Sequence, residues 1–155
     1  FFHQNGIGTV MKHIPGHGLA KVDSHNFTPF VKKELNYLSK KDFVSFKNKK
    51  IFFAMTAHII FSRIDDKNTV THSKKLIGLI RNNIGFKNIL ISDDLSMKSL
   101  KGNLKTNTIK TFKAGCNIAL HCNGNLKEME IVGKNSPLIN KFVSKKTSQF
   151  YKILS

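Results

Sequence analysis

The chain has 155 residues, of which 40% are hydrophobic, enough for one globular domain with its own core. No apolar run reaches the roughly 18–20 residues of a membrane span, so no membrane segment is predicted. The formal net charge of +17 suggests a nucleic-acid partner, but only Arg63 and Arg81 of the 26 basic residues are arginine. Because arginine is the residue that binds bases and phosphates bidentately, we interpret the charge as compositional bias and keep a basic nucleic-acid-binding domain as an alternative.

The N-terminal residues and the two cysteines favour a cytoplasmic protein. Phe1-Phe2-His3-Gln4 carries no basic region and no cleavable apolar segment, so no targeting signal is predicted. Cys116 and Cys122 lie on one predicted strand, roughly 20 Å apart, which is too far for a disulfide and typical of reduced thiols. The chain begins without Met and almost directly in a strand-like run, so we interpret it as part of a longer protein.

Four apolar runs predict β-strands, and the segments between them have helical character. Strands are expected at 7–11, 51–57, 89–92 and 117–121, and helices at 30–38, 73–83, 104–113 and 138–154. Ser73 is a plausible N-cap, and Gly85 and Gly115 are helix stops. Alternating strands and helices favour the α/β class with a parallel sheet. Since a barrel of eight such units takes about 250 residues, the chain is either a small open domain or half of a barrel.

Polar residues follow each of the four apolar runs. Lys12 and His13 follow the first, His58 the second, Asp93 the third and Cys122 the fourth. In parallel α/β proteins the functional site lies at the carboxyl ends of the strands. The sequence therefore predicts one polar rim formed by four strand ends.

The loop at 12–25 contains three histidines, two glycines, a proline and an aspartate. Asp23 and His25 lie two residues apart, so in an extended loop their side chains share a side and can hydrogen-bond. The carboxylate would favour the protonated imidazole, and such a histidine can give and take a proton near neutral pH. The alternatives are a metal site built from the loop histidines and His58, although their spacing matches no specific zinc pattern, or ordinary surface histidines.

Asp93 and Asp94 stand together at the end of a predicted buried strand, where consecutive side chains point to opposite sides. We predict one functional and one structural member of this pair. Asp94 is the candidate for the structural role, as the N-cap of a following helix.

Several motifs, taken in order, resemble the β-N-acetylhexosaminidases of glycoside hydrolase family 3. They are KHIPGHG at 12–18, DSH at 23–25, AMTAH at 54–58, ISDDLSM at 91–97 and AGCN at 114–117. The likeness runs from about Thr9 to about Pro137. It implies a partial (β/α)₈ TIM barrel comprising roughly the last four βα units. Residues 1–130 are then the C-terminal half of the catalytic barrel, and residues 131–155 are a terminal helix of the same domain.

The resemblance also implies roles for particular residues. Asp93 falls on the catalytic nucleophile, and His25, with Asp23 as its partner, falls on the general acid/base. Lys12 and His13 fall on positions that bind N-acetylglucosamine, and His58 joins them as a substrate-binding candidate. The implied activity is a retaining β-N-acetylglucosaminidase that acts on muropeptides during cytoplasmic peptidoglycan recycling, with neither a cofactor nor a metal. Its partner is thus a carbohydrate.

Three residues depart from the family pattern: Ile14 replaces Phe, Asn88 replaces Gly and Asn117 replaces Asp. None of the three is a residue to which the resemblance assigns a chemical role. The family draws further substrate contacts from strands that precede the region matched here. An inactive glycosidase fragment is therefore a further alternative.

Overall fold

A computed structural model describes residues 2–154 as an α/β structure with a central parallel sheet. Its strands are β1 (Val10–Ile14), β2 (Phe30–Val31), β3 (Phe53–Thr56), β4 (Ile60–Phe61), β5 (Ile89–Asp94) and β6 (Ile118–Leu120). Its helices are α1 (Leu35–Lys41), α2 (Lys74–Leu79), α3 (Leu104–Ala114), α4 (Leu126–Asn135) and α5 (Lys141–Leu154). Short 3₁₀ turns span His3–Asn5, Phe43–Phe46 and Val70–His72, and a π-helical turn at Ile80–Ile84 extends α2.

The main sheet has the strand order β1-β3-β5-β6, and every pairing in it is parallel. These are the four predicted strands, so the α/β class and the parallel sheet are confirmed. The first strand begins at Val10 rather than at residue 7 and runs on to Ile14, so Lys12 and His13 belong to the strand itself. Because the strands all run in the same direction, their carboxyl ends share one edge of the sheet.

The register slips in two of the three strand pairs, and both slips lie near the carboxyl ends. One lies between Lys12 and Ile14 in the β1–β3 pair, and the other lies between Ile91 and Asp94 in the β5–β6 pair. In the second slip, the buried Ser92 hydroxyl accepts the backbone N–H of Leu120 at 2.9 Å. Such irregularities re-aim side chains, and these two lie on the strands that carry His13 and Asp93.

Strands β2 and β4 pair in parallel and form a second sheet. This second sheet was not predicted from the sequence. The helix predicted at 30–38 is wrong over its first five residues. Phe30 and Val31 form a strand with Ile60 and Phe61, and α1 begins only at Leu35. The carbonyl of the adjacent Pro29 accepts the N–H of Ile60. The chain before Phe30 is therefore already extended alongside β4.

The helix ends follow the predicted signals. The Ser73 hydroxyl accepts the N–H of Leu76 at 3.1 Å as the N-cap of α2. Gly85 ends the π-helical turn and Gly115 ends α3, both in the left-handed conformation that glycine adopts most readily.

The C-terminal segment contains two helices where one was predicted. The helix expected at 138–154 is present as α5, although it begins at Lys141. Helix α4 was missed, and its last turn occupies the start of the 131–155 segment assigned to a single terminal helix. No helix within residues 2–154 is long and apolar enough to cross a membrane.

A buried core lies between the sheet and its helices and includes Phe43, Phe61, Ile80 and Leu90. At the amino end of the sheet, Arg81 donates from Nη2 to the side-chain oxygen of Asn117 at 2.7 Å. The same oxygen accepts the backbone N–H of Leu90 at 2.9 Å, so Asn117 ties the segment after α2 to β5. Asn117 thus makes these contacts as a neutral amide, where the family pattern has Asp.

Candidate active site

His13 and Asp93 meet at the carboxyl edge of the sheet. His13 Nε2 lies 3.5 Å from Asp93 Oδ2, and the two side chains are 29% and 15% exposed. The pair therefore sits in a shallow, partly desolvated position that a ligand can reach. A polar rim was predicted from the strand ends, and in the structure these two of its residues lie close together.

The two carboxylate oxygens of Asp93 make different contacts. Oδ1 accepts the backbone N–H of Asp94 at 2.9 Å, which fixes the rotation of the group. Oδ2 faces His13. One oxygen is thus held by the backbone, while the other is left to interact with His13.

Asp94 has the structural role, although it does not cap a helix as predicted. Its carboxylate accepts hydrogen bonds from the hydroxyl and backbone N–H of Ser96 and from the backbone N–H of Cys122 at 3.3 Å. These bonds lower the pKa of Asp94 against the opposing effect of its partial burial, the largest single influence on it. Asp94 therefore stabilises the turn that follows β5 and ties it to the end of β6. The next helix begins ten residues later, with Asn103 as its N-cap.

Asp23 and His25 form the hydrogen-bonded pair predicted from their spacing. Asp23 Oδ1 lies 2.7 Å from His25 Nδ1 and also accepts the backbone N–H of His25 at 2.9 Å. The hydrogen bond that Asp23 accepts from His25 raises the pKa of His25, and the charges of Asp93 and Asp94 act in the same direction. Both side chains are largely exposed, at 75% for His25 and 65% for Asp23. The pair is available to a ligand, and its imidazole is biased toward the protonated form.

Two hydrogen bonds attach the His25 loop to the segment that follows Asp93. The backbone N–H of Lys98 donates to the carbonyl of His25 at 3.3 Å. The hydroxyl of Thr28 donates to the carbonyl of Ser99 at 2.7 Å. These bonds hold the loop of the acid/base candidate against the segment that follows the nucleophile candidate. Thr28 carries no sequence signal for this role apart from its position three residues after His25.

Replacing Asp23 with Asn should lower the pKa of His25 toward its ordinary value of 6.5. The amide oxygen of Asn can still accept both N–H groups of His25, so the variant removes charge while keeping the shape of the loop. Because the native pKa of His25 is raised, any stability that its protonated form adds is present below pH 6.5 while Asp23 is ionised, and it is lost as pH rises through the native pKa.

The measurement is an NMR titration of the His25 imidazole in both proteins, with Asp66→Asn as a control at an exposed carboxylate elsewhere. An unchanged His25 titration in Asp23→Asn would contradict the pairing.

His58 is fully buried, and both ring nitrogens are engaged within the protein. Nδ1 lies 2.8 Å from the hydroxyl of Thr71, and Nε2 lies 3.0 Å from the carbonyl of Asp94. The structure thus places His58 beneath the rim rather than on it, where a sugar-binding group was expected. Burial lowers the pKa of His58, the backbone hydrogen bond at Asp94 being the largest opposing influence. From this position His58 supports the backbone beside Asp93.

Lys12 is exposed on β1, next to the half-buried His13. Burial lowers the pKa of His13 most strongly, Asp93 raises it, and Lys12, His17 and His25 lower it further. The ring of His17 lies against that of His13, with centroids 5.8 Å apart. One ammonium and two imidazoles thus lie on the β1 side of the Asp93 carboxylate.

Residues 2–154 contain no group of three His, Cys, Asp or Glu side chains arranged to hold a metal ion. Instead, the rim histidines have separate partners. His13 lies near Asp93, His25 pairs with Asp23, and His58 makes buried contacts. Cys116 is buried and Cys122 is exposed, and both are free thiols.

The four-stranded parallel sheet, with its covering helices and a carboxylate–imidazole rim at its carboxyl edge, matches part of a (β/α)₈ barrel with the layout of a barrel enzyme. The model of the glycosyl hydrolase family 3 N-terminal domain matches residues 2–148. The chain belongs to this family.

Relatives in sequence are β-hexosaminidases. That of Photobacterium profundum is 30% identical over 161 residues, covering 97% of this chain and 48% of the relative. That of Actinobacillus pleuropneumoniae serotype 3 is 34% identical over 124 residues, covering 76% of this chain and 36% of the relative. The chain thus spans about half the length of the Photobacterium relative, and less of the other.

Two solved structures extend this likeness. Native NagZ from Neisseria gonorrhoeae matches with a TM-score of 0.79 and 29% identity over 94% of this chain and 43% of that protein. Zn-bound CbsA from Thermotoga neapolitana matches with a TM-score of 0.81 and 25% identity over 96% of this chain and 38% of that protein. The described structure therefore corresponds to part of a larger barrel.

Proposed function

We propose that this chain carries the catalytic residues of a retaining β-N-acetylglucosaminidase. The observation that carries the proposal is the contact of Asp93 with His13 at the carboxyl edge of the sheet, with the Asp23–His25 pair held on a loop attached to the segment after Asp93. His13 lies 3.5 Å from the carboxylate, and His25, paired with Asp23, is attached to the segment that follows it. Family membership supports a glycosidase, and NagZ from Neisseria gonorrhoeae has been solved with N-trifluoroacetyl-D-glucosamine.

Asp93 is proposed as the nucleophile because one of its oxygens is held by the backbone, whereas the other lies near His13 and the side chain is partly exposed. In the first step Oδ2 attacks the anomeric carbon, and the bond from that carbon to the leaving oxygen breaks. The electron pair of this bond goes to the leaving oxygen, which takes a proton from the His25 imidazolium. The product of this step is a glycosyl ester of Asp93.

His25 is proposed as the acid and then the base. The Asp23 hydrogen bond raises the pKa of His25, which favours the protonated form needed to start the reaction. In the second step the neutral imidazole takes a proton from water, whose oxygen attacks the anomeric carbon and displaces Asp93. The released sugar keeps its β configuration because two inversions have occurred.

Lys12 and His13 are proposed to bind the N-acetylglucosamine ring. Both lie on the β1 side of Asp93, where an ammonium and an imidazole N–H can donate to sugar hydroxyls. His58 is proposed as a positioning residue, since its ring nitrogens are bonded to Thr71 and to the Asp94 carbonyl.

The proposed substrates are muropeptides, hydrolysed in the cytoplasm during peptidoglycan recycling. This assignment rests on the motifs shared with the family. Its test is to compare hydrolysis of muropeptides with hydrolysis of chitin-derived disaccharides. Preference for the chitin-derived sugars would contradict the muropeptide assignment and leave the glycosidase proposal standing.

The activity itself is tested with an aryl β-N-acetylglucosaminide and the longest reading frame that contains this chain, beside the 155-residue chain alone. We expect ¹H NMR to detect the β-anomer of N-acetylglucosamine before mutarotation produces the α-anomer. Initial release of the α-anomer would contradict the double displacement. A folded but inert long form would contradict the activity and favour the inactive fragment.

A further inference from the structure

Asp42 occupies a fixed position beside the loop that begins with His13. It ends α1, where its backbone N–H donates to the carbonyl of Leu38 at 3.0 Å, and it precedes the 3₁₀ turn Phe43–Phe46. The neighbouring Phe43 is 1% exposed and packs on Phe61 in the core. Because the backbone is held on both sides, the carboxylate of Asp42 projects from a rigid support.

That carboxylate faces the backbone of residues 16–18 at close range. A Cβ placed on Gly16 would overlap the carboxyl group and lie 2.6 Å from Oδ1, and one placed on Gly18 would lie 3.5 Å from Oδ1. The backbone of Gly18 also faces this group and lowers the pKa of the carboxyl. Glycine at position 16 is therefore what allows the turn to approach Asp42 so closely.

The Asp42 carboxyl is partly desolvated in this position. Burial raises the pKa of Asp42, while the backbone N–H of Gly18 and the nearby His17 lower it. Among the described residues, Oδ2 of Asp42 and Nε2 of His17 are buried without a hydrogen-bond partner. A desolvated carboxylate against a glycine turn is costly unless the turn donates to it, so the contact fixes the turn in one place.

The turn leads directly to the proposed sugar site. His17 at its centre packs its ring against His13, and His13 lies 3.5 Å from Asp93. Only Ile14 and Pro15, both buried, separate His13 from the turn along the chain. A displacement of the turn would therefore move His13.

We propose that Asp42 is a positioning residue whose carboxylate fixes the turn at 16–18 and thereby holds His13 at its distance from Asp93. Its meaning for catalysis rests on the proposed glycosidase function, whereas the contact itself does not. The test consequently uses the 155-residue chain without substrate, so that an inactive enzyme and an incorrect role for Asp42 give different results.

The test compares Asp42→Ala with Asp42→Asn and Gly16→Ala by NMR. In Asp42→Ala the backbone of Gly18 loses the carboxylate that lies against it, so the hydrogen exchange of its N–H should accelerate about tenfold. The pKa of His13 should rise toward its ordinary value because the ring loses burial, while Asp93, Lys12, His17 and His25 still act on it. Gly16→Ala should do the same by displacing the carboxylate, whereas Asp42→Asn, which retains an acceptor oxygen, should stay close to the wild type.

Glu130→Ala is the control, because Glu130 is an exposed carboxylate on α4 paired with Lys134. A folded Asp42→Ala protein with unchanged Gly18 exchange and His13 titration would overturn the proposal. If that variant fails to fold, Gly16→Ala decides in the same way. Loss of folding in all three variants would also overturn it, since Asp42 would then serve the whole fold.

Discussion

Replacing Asp93 with Asn should reduce the hydrolysis of an aryl β-N-acetylglucosaminide by roughly 10³–10⁶-fold in the long reading frame that contains this chain. The amide retains the shape of the carboxylate and can still accept the N–H of Asp94, so the fold should be unaffected. It cannot form the glycosyl ester, because a neutral amide oxygen is a poor nucleophile. The fall should therefore appear in kcat, with little change in the unfolding midpoint.

Two further variants separate a nucleophile from a merely supporting charge. Asp93→Gly opens space at the anomeric carbon, where azide should restore turnover and yield a glycosyl azide of the α configuration. Asp94→Asn is the neighbouring control, since it removes a charge from the turn but no attacking oxygen. Activity within tenfold of wild type in Asp93→Asn would contradict the assignment of Asp93.

Replacing Phe61 with Ala should lower the free energy of unfolding by about 3–5 kcal/mol, the largest stability effect that we expect. Phe61 is fully buried and meets Phe43 edge to face, with ring centroids 5.1 Å apart and an interplanar angle of 90°. The truncation removes the free energy gained by transferring the ring from water into the core. It also leaves a cavity that the paired strands β2 and β4 cannot close. Urea denaturation measures the effect as a lower midpoint at constant slope.

Phe30 provides the matched control, because it lies on the strand that pairs with the Phe61 strand. It is 58% exposed, so Phe30→Ala should change stability by about 0.5 kcal/mol or less. A loss below about 1.5 kcal/mol for Phe61→Ala would mean that the core can close around the missing ring. Equal losses for both variants would show that the small sheet, rather than burial, sets the cost.

The main strands could be predicted because each is an apolar run buried between layers of helices. Helix ends were also visible, since Ser73 and Gly115 act through local backbone chemistry that depends only on neighbouring residues. Two-residue strands such as β2 and β4 offer no periodicity, and their pairing depends on contacts across the fold. Because β2 was not predicted, the strand and the loop at 30–34 were assigned to the start of a helix.

Helix α4 was missed for a different reason. Its apolar residues are largely exposed, with Leu126 at 69% and Met129 at 49%, so they form no clear buried stripe. A signal was nevertheless present, because Asn125 caps the helix by accepting the N–H of Glu128. This signal is obscured in the sequence, because Asn125 follows Asn123 and Gly124, a pair that is typical of a turn.

The rim residues divide in a similar way. Chain order and strand ends could predict that His13 and Asp93 share an edge, and spacing could predict the Asp23–His25 pair. The burial of His58 could not be predicted, because it depends on Thr71, a residue with no marked motif. The same holds for Asp42, whose contact with the glycine turn arises only when α1 packs beside the loop.

The register slips in β1 and β5 have a consequence for tolerance to insertions and deletions. Side chains in a strand alternate between faces, so losing one residue at 12–14 or 91–94 would reverse the direction of every side chain that follows before the next loop. Substitutions there change one group, whereas a change of length would turn His13 or Asp93 away from the other. The distance between these two residues is thus set by the number of residues in each strand as much as by their identity, and length variation should be confined to the surrounding loops.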